Sequence, residues 1–180
     1  MIIRESIESD LDGLLGAARL AFGDHEGHEI VELVSGLLND PSAKPLLSLV
    51  ALSDGRIIGH ILFTKARVVS AEKVSAVILA PLAVVPDAQS RGVGGQLIAE
   101  GSRILAGKGV ELVFVLGHPG YYPRHGFKPA FGYGFKAPYP IPGEVADAWM
   151  VRELIPGTID RARGPVLCAS ALDHPAYWSE

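Results

Sequence analysis

Gln89-Ser90-Arg91-Gly92-Val93-Gly94-Gly95 combines the residue types and spacing that hold a phosphate. The segment follows the apolar stretch Val77 to Val85 and precedes a helical pattern that begins near Gly94. A strand that empties into a glycine-rich turn and then a helix leaves the first-turn amides without internal partners. Those amides point at whatever lies before the helix, and the helix dipole favours an anion there. Glycine lets the backbone come close to such a ligand and take positive φ. The competing interpretation is a tight helix-capping bend with no ligand. A dinucleotide-binding turn is a third, but it wants an acidic residue closing the next strand about twenty positions on; Glu111, at that spacing, opens its strand instead.

Asp24-His25-Glu26-Gly27-His28-Glu29 is a second candidate for chemistry. His25 and His28 stand at i, i+3, a spacing able to ligate a metal, but no third ligand is evident and no metal is expected. A solvated capping segment is the alternative, and its acidity suits a cationic partner. Cys168 is the only cysteine, which excludes an internal disulfide and any multi-cysteine metal site. A small buried hydrophobe is its expected role.

These residues need elements to position them. Ile2-Ile3-Arg4 reads as a short strand. Ser9-Asp10 caps a helix to about Phe22, with Leu11, Leu14, Leu15, Ala18 and Phe22 on one side. A second helix, His28 to Leu38, is ended by Asn39-Asp40-Pro41. Leu46–Leu52 and Ile57–Val69 form a hairpin about Ser53-Asp54-Gly55-Arg56. Lys73–Val85 is a third strand in which Pro81, lacking an N–H, forces a bulge or splay. The helix after the glycine turn runs from Gly94 to Ala106 and stops at Gly107-Lys108-Gly109. Glu111–Leu116 is a buried strand beside the third one, followed by a helical turn at Gly120–Arg124 and a strand at Phe127–Ala130. Gly132 to Gly143 is a shaped loop, and Trp149–Leu154 and Pro165–Ala169 are closing strands. Early antiparallel hairpins and a strand–helix–strand crossover give an α/β mixture around one sheet.

With 180 residues, 48% of them hydrophobic, the chain is sized for one domain over residues 1–180 with a full core. A net charge of −4 without a long basic run argues against nucleic acid as a partner. No apolar window reaches membrane-spanning length and the N-terminus lacks a signal pattern, so a soluble, cytoplasmic protein with no membrane partner is expected.

Three elements occur in order: Leu79-Ala80-Pro81-Leu82-Ala83-Val84, the Gln/Arg-x-x-Gly-x-Gly turn, and Tyr122-Pro123-Arg124-His125-Gly126-Phe127 as Tyr-x-x-x-Gly-Phe. Together they resemble the GNAT superfamily of acetyl-CoA-dependent N-acetyltransferases, with the closest motif match over residues 46–131. Ala80 to Val84, Leu116-Gly117-His118-Pro119-Gly120-Tyr121-Tyr122 and Val151 to Gly157 are similar to a bacterial, YhbS-like branch of predicted N-acetyltransferases. The resemblance implies an α/β (α+β) fold with a mixed, mostly antiparallel sheet, splayed in the middle and flanked by helices. It also implies that acetyl-CoA is the co-substrate. The amides of Gln89, Ser90, Arg91, Gly92, Val93, Gly94 and Gly95 would cradle its pyrophosphate, with charge added by Arg91. Leu82, Ala83 and Val84 would pair their backbone with the pantetheine arm as if it were a strand. Leu116 and Gly117 would line the other wall.

Acetyl transfer to an amine needs a neutral nucleophile, a donor to the carbonyl oxygen and a proton for the departing thiolate. By the resemblance Tyr122 is the proton donor, since a phenol with an ordinary pKa near 10 stays protonated; packing of the short helix is its alternative. The carbonyl donor is a backbone N–H near Val84. The base is open: the strand Val74 to Val85 holds no carboxylate, and His118 stands where relatives carry an acid. His118 before Pro119 also suits a turn cap. Tyr133, Phe135, Tyr139 and Trp149 either wall an acceptor pocket or pack the core. The expected function is acetyl transfer from acetyl-CoA to a primary amine of a small molecule or peptide in a ternary complex. A non-catalytic acyl-CoA sensor and an O-acyltransferase remain open, as does a homodimer.

Overall fold

Asp54 and Gly55 take φ of 51° and 75°, the left-handed pair that a two-residue hairpin turn requires. They fold β2 (Leu47–Ser53) onto β3 (Arg56–Val68) in antiparallel register, with Leu47 opposite Phe63 and Val50 opposite His60. The computed structural model, which describes residues 1–179, builds the rest of the sheet outward from this hairpin. β1 (Ile2–Glu5) adds to β2, and β4 (Ala76–Val84) adds to β3, both antiparallel. The chain then crosses over through α2 (Val93–Gly107), so β5 (Leu112–Leu116) lies parallel to β4. β6 (Lys128–Pro129), β7 (Phe135–Lys136), β8 (Trp149–Glu153), a short α3 (Thr158–Arg161) and β9 (Gly164–Leu167) follow. The sheet runs β1-β2-β3-β4-β5-β8-β6, with β9 joining the end of β3 and pairing with β7. This is the mixed, mostly antiparallel sheet expected from the sequence.

Alternation along β3 decides which helix covers which face. Gly59, Ile61 and Phe63 turn toward α2, packing with Leu97, Ile98 and Val93. Leu62, Ala66 and Val68 turn the other way, into a second core with Leu33 and Leu37 of α1 (Leu11–Leu38). α1 is two helical segments joined at Gly23, whose φ of 76° and ψ of 179° interrupt the helix at a single residue. The connection read between two helices at residues 24–29 therefore shrinks to one glycine. Asp24 to Glu29 form the start of the second segment, with Gly27 packed on Arg19.

β3 and β4 slip register between Ile61 and Phe63: Ile61 faces Leu82, Phe63 faces Leu79, and Ala80-Pro81 form the bulge between. The Pro81 bulge thus falls where the sequence put it. β4 begins at Ala76, three residues after the expected Lys73, because Val74 is spent in a turn onto Ala71.

Candidate active site

β4 and β5 pair only at Ala76–Leu112, Val77–Val113 and Ile78–Phe114. Beyond that point they part. Leu79 to Val84 stay on β3, while Val115 and Leu116 stay on β8 opposite Met150 and Trp149. The result is a V-shaped gap in mid-sheet, walled by Leu82, Ala83 and Val84 on one side and Leu116 and Gly117 on the other. Backbone polar groups seek partners, so an extended ligand carrying amides suits this gap.

The glycine turn lies at the mouth of the gap. Ser90 and Gly92 both adopt left-handed φ, 61° and 82°. Such alternation turns successive N–H groups toward one concavity. Gly92 is the N-cap of α2 and no side chain caps the helix. The amides of Ser90, Arg91, Gly92, Val93, Gly94 and Gly95 have no partner among the described residues, and the first helical bond is Gln96 N–H to Gly92 O. Gln89 differs from the sequence expectation. Its N–H donates to Pro86 O at 3.3 Å, closing a 3₁₀ turn, and so is not free for an anion. Its side-chain amide instead donates to Val84 O at 2.9 Å, tying the turn to the strand that leads into it. Arg91 is exposed and lines a hollow of about 500 Å³ beside the turn, near the Arg56–Asp87 ion pair.

Three residues of the segment 121–126 complete the mouth. The Tyr121 hydroxyl stands against the Cα of Gly94, so that any Cβ there would overlap it, with Leu82 Cδ2 at 3.5 Å from the same point. A Cβ on Gly95 would come within 2.9 Å of His125 Cε1. The Tyr121 ring lies 4.9 Å from that of His125, with the Arg124 guanidinium 5.4 Å from its centroid. A hollow of about 570 Å³ continues along α2 from Gly95 past Ser102, lined by Arg124, His125 and Arg152. Arg152 donates to Ser102 Oγ at 3.1 Å and has no carboxylate partner among the described residues. Burial, then Arg124 and Arg152, holds the His125 imidazole below its usual pKa, so it stays neutral amid guanidinium groups. Sequence reasoning did not place Tyr121, Arg124, His125 or Arg152 at the mouth. A signal was present in the two glycines at 94 and 95, each of which leaves room for one of those rings.

Tyr122 is buried, its ring lying against the Cα of Gly117 on the far wall of the gap and edge-on to Tyr121 and Phe127 at 5.1 and 5.5 Å. Burial, reinforced by Tyr121, pushes its phenol above the ordinary tyrosine range. The group is therefore a protonated donor at any neutral pH. Its hydroxyl has no hydrogen-bond partner among the described residues. His118 is exposed at the end of the same wall, and its carbonyl accepts from Tyr121 N–H and Tyr122 N–H at 3.0 and 3.3 Å. His118 thus caps the turn through its backbone, leaving its imidazole in solvent.

The aromatic set divides. Phe135 and Trp149 are fully buried with Phe114, stacked on Trp149 at 5.2 Å, and so pack the core instead of walling a pocket. Trp149 donates to Phe135 O at 3.2 Å. Tyr133 and Tyr139 pack against the edge of that cluster. Cys168 is half-buried and its thiol is pushed up to about 12, which leaves it un-ionised and without nucleophilic use. No group of three or more His, Cys, Asp or Glu side chains able to hold a metal occurs among the described residues. No helix of the described residues is long and apolar enough to cross a membrane.

Comparison with known proteins bears on the family and the fold. Residues 45–129 match the acetyltransferase (GNAT) domain family. The chain is 52% identical over 126 residues to the uncharacterized N-acetyltransferase YjhQ of Escherichia coli K12, covering 68% of this chain and 69% of that protein. Among solved structures it superposes on the GNAT family N-acetyltransferase YhbS of Escherichia coli in complex with CoA. The TM-score is 0.83 at 30% identity, over 96% of this chain and 92% of that one. A GNAT family acetyltransferase of Brucella melitensis in complex with acetyl-CoA gives a TM-score of 0.75 at 30% identity, over 96% and 97%.

Proposed function

The chain belongs to the GNAT family and is an acetyl-CoA-dependent acetyltransferase, and from that premise we propose that it transfers acetyl to a primary amine by direct attack within a ternary complex. One observation carries the proposal: β4 and β5 stop pairing at Ile78–Phe114, and the unpartnered strand leads into the uncapped amides of Ser90 to Gly95. That juxtaposition suits a ligand with a diphosphate at one end and an extended amide chain at the other.

In the proposed complex the diphosphate lies on the Ser90–Gly95 amides, with Arg91 at its side. The nucleotide end extends along α2 toward Arg124, His125 and Arg152. The pantetheine arm pairs with Leu82, Ala83 and Val84, and a β4 amide near Val84 donates to the thioester oxygen as negative charge develops there. The amine attacks the carbonyl carbon, the C–S bond breaks, and Tyr122 donates its proton to the sulfur. Tyr122 then recovers a proton from the former ammonium nitrogen. No covalent enzyme intermediate is needed. His118 is retained as a base reached through solvent. The acidic residues Asp24, Glu26 and Glu29, exposed near the α1 break, suit a cationic acceptor such as a polyamine, a lysine or an aminoglycoside.

Two measurements test the proposal. Acetyl-CoA at a hundred times its Kd should add about 2.7 kcal/mol of stability, raising Tm by roughly 5–10 °C for a chain of this size. Thiol release from acetyl-CoA with spermidine, lysine methyl ester and kanamycin then reads turnover. A thermal shift without release by any amine would favour a sensor, and ester products would favour O-acylation. Absence of any shift would remove the cradle.

A further inference from the structure

The proposed reaction offers the acceptor's proton only the exposed His118 imidazole at the end of the wall, and no base within the sheet. The acceptor enters as an ammonium and must lose a proton before its nitrogen can attack, yet Val74 to Val85 carries no carboxylate. On the α1 side of the sheet a fully buried histidine, His60, pairs across β3–β4 with Ala83. Directly opposed residues of antiparallel strands put their side chains on one face about 5 Å apart. His60 is therefore a lateral neighbour of the strand segment that, in the proposal above, holds the thioester. Its Nε2 lies 2.8 Å from Ser48 Oγ on β2, and Ser6 Oγ, just past β1, donates to Ser48 Oγ at 2.7 Å, the orientation the hydroxyls hold after a proton has passed outward. Ser48 is 7% exposed, while Ser6 reaches the surface. His60 Nδ1 is buried without a hydrogen-bond partner among the described residues. A buried polar atom left in that state is costly and uncommon.

We infer that His60, Ser48 and Ser6 form a proton relay that carries the acceptor's proton from the β4 side of the cleft, across β3 and β2, to solvent beyond β1. The inference rests on the acetyl-transfer proposal. The balance is as follows. The ammonium N–H bond breaks, and its proton reaches His60 Nδ1, an atom closed to solvent in this structure, through a water that the relay requires beside Ala83. The Nε2 proton passes to Ser48 Oγ, the Ser48 proton to Ser6 Oγ, and the Ser6 proton to bulk water. Reorientation of the two hydroxyls and the imidazole resets the chain. The free amine then attacks, and the single net proton of amide formation leaves by this route. His60 does not contact the acceptor, being fully buried, and so is a positioning residue. Its surroundings keep it neutral: burial is the sole cause that lowers its pKa, to about 4, with no charged side chain of α1, β2 or β4 contributing. The Arg4–Asp10 pair flanks only the Ser6 end. A neutral imidazole with low proton affinity passes a proton on instead of storing it.

The deciding test is the tautomer of His60, read from two-bond ¹H–¹⁵N correlations of the imidazole in the CoA-loaded protein. The relay requires the Nε2–H form, with Nδ1 unprotonated and its resonance shifted on Ser48→Ala. A fixed Nδ1–H form overturns it. Kinetically, His60→Gln keeps a polar partner for Ser48 but cannot relay, and should lower kcat about a hundredfold, the lower end for positioned proton transfer, with KM for acetyl-CoA unchanged. Ser48→Ala should act in the same direction and change the solvent isotope effect on kcat. Wild-type kcat and isotope effect in both variants overturn the relay while leaving the acetyl-transfer proposal intact. Loss of CoA binding by the wild type, measured by calorimetry, would instead strike at that proposal.

Discussion

Replacing Gly94 with tryptophan attacks the cradle at its narrowest point. Gly94 is buried in the first turn of α2, and even a methyl there would overlap the Tyr121 hydroxyl and touch Leu82. An indole must displace Tyr121 and fill the space before the amides of Val93, Gly94 and Gly95. Each hydrogen bond from a backbone amide to an anion is worth about 1.5–3 kcal/mol. Loss of two of them weakens CoA binding by roughly 3–6 kcal/mol, or about 10²–10⁴-fold in Kd at 1.4 kcal/mol per tenfold. Calorimetric titration with CoA reads the loss directly, and far-ultraviolet circular dichroism checks that the variant is folded. Gly94→Ala is the milder companion. It gains about 1 kcal/mol of helix propensity, yet it should still lose affinity because Tyr121 must shift. A folded Gly94→Trp protein that binds CoA with unchanged Kd would refute the phosphate cradle.

Three further outcomes follow from the same geometry. Tyr122→Phe keeps the ring contacts to Gly117, Tyr121 and Phe127 but removes the proton donor. Turnover should fall about 10²–10⁴-fold with CoA affinity retained, and wild-type activity should show no loss of this donor up to pH 10, because burial raises its pKa. Gly101→Ala places a methyl 2.6 Å from Phe63 Cζ; overpacking of this kind costs about 1–3 kcal/mol, so chemical denaturation should show a less stable protein with unchanged CoA affinity. Burial depresses His60 from 6.5 to about 4 in the folded state. The unfolded chain binds more protons in that window, so stability is fully present above pH 6.5 and is lost as pH falls toward 4. The span corresponds to roughly 3 kcal/mol. His60→Leu should flatten that limb of the stability–pH curve, and an unchanged slope would place the titration elsewhere.

Local signals made much of this molecule legible. The Asp54-Gly55 hairpin, the Pro81 bulge, the helix after the glycine turn and the parallel strand beyond it lie within a few residues of their sequence positions, because each is set by turn chemistry or periodicity over a short window. What could not be seen depends on distant residues. Phe135 and Trp149 became core because Phe114 and Trp178 close over them. Gln89 lost its free amide to Pro86, a 3₁₀ closure that the glycine motif does not encode. The acidic run at 24–29 reads as a connection by composition, but a single positive φ at Gly23 suffices for the bend, and the run goes on to start a helix. Tyr121 and His125 reach Gly94 and Gly95 only because a 3₁₀ turn at Tyr122–His125 folds back onto α2.

The gap itself follows from competition between strands. β5 is short and bonds to β8 along its whole length, from Leu112 opposite Glu153 to Leu116 opposite Trp149. β4 is longer and is held to β3 on both sides of its bulge. One extra residue, Ala80-Pro81 against Leu62 alone, bends β4 just past its last pairing with β5, so the strands do not stay parallel neighbours beyond Ile78 and Phe114. Filling the gap with protein would have meant extending β5, but Gly117 ends it by donating to Ala148 O, and the Tyr122 ring covers the glycine. The same bulge sets the faces beyond it, leaving Ala83 beside His60 and Leu82 toward Gly94. One local insertion in β4 therefore parts the two strands where the proposed ligand channel lies, aims that wall at the helix that would hold the phosphates, and brings a buried imidazole alongside.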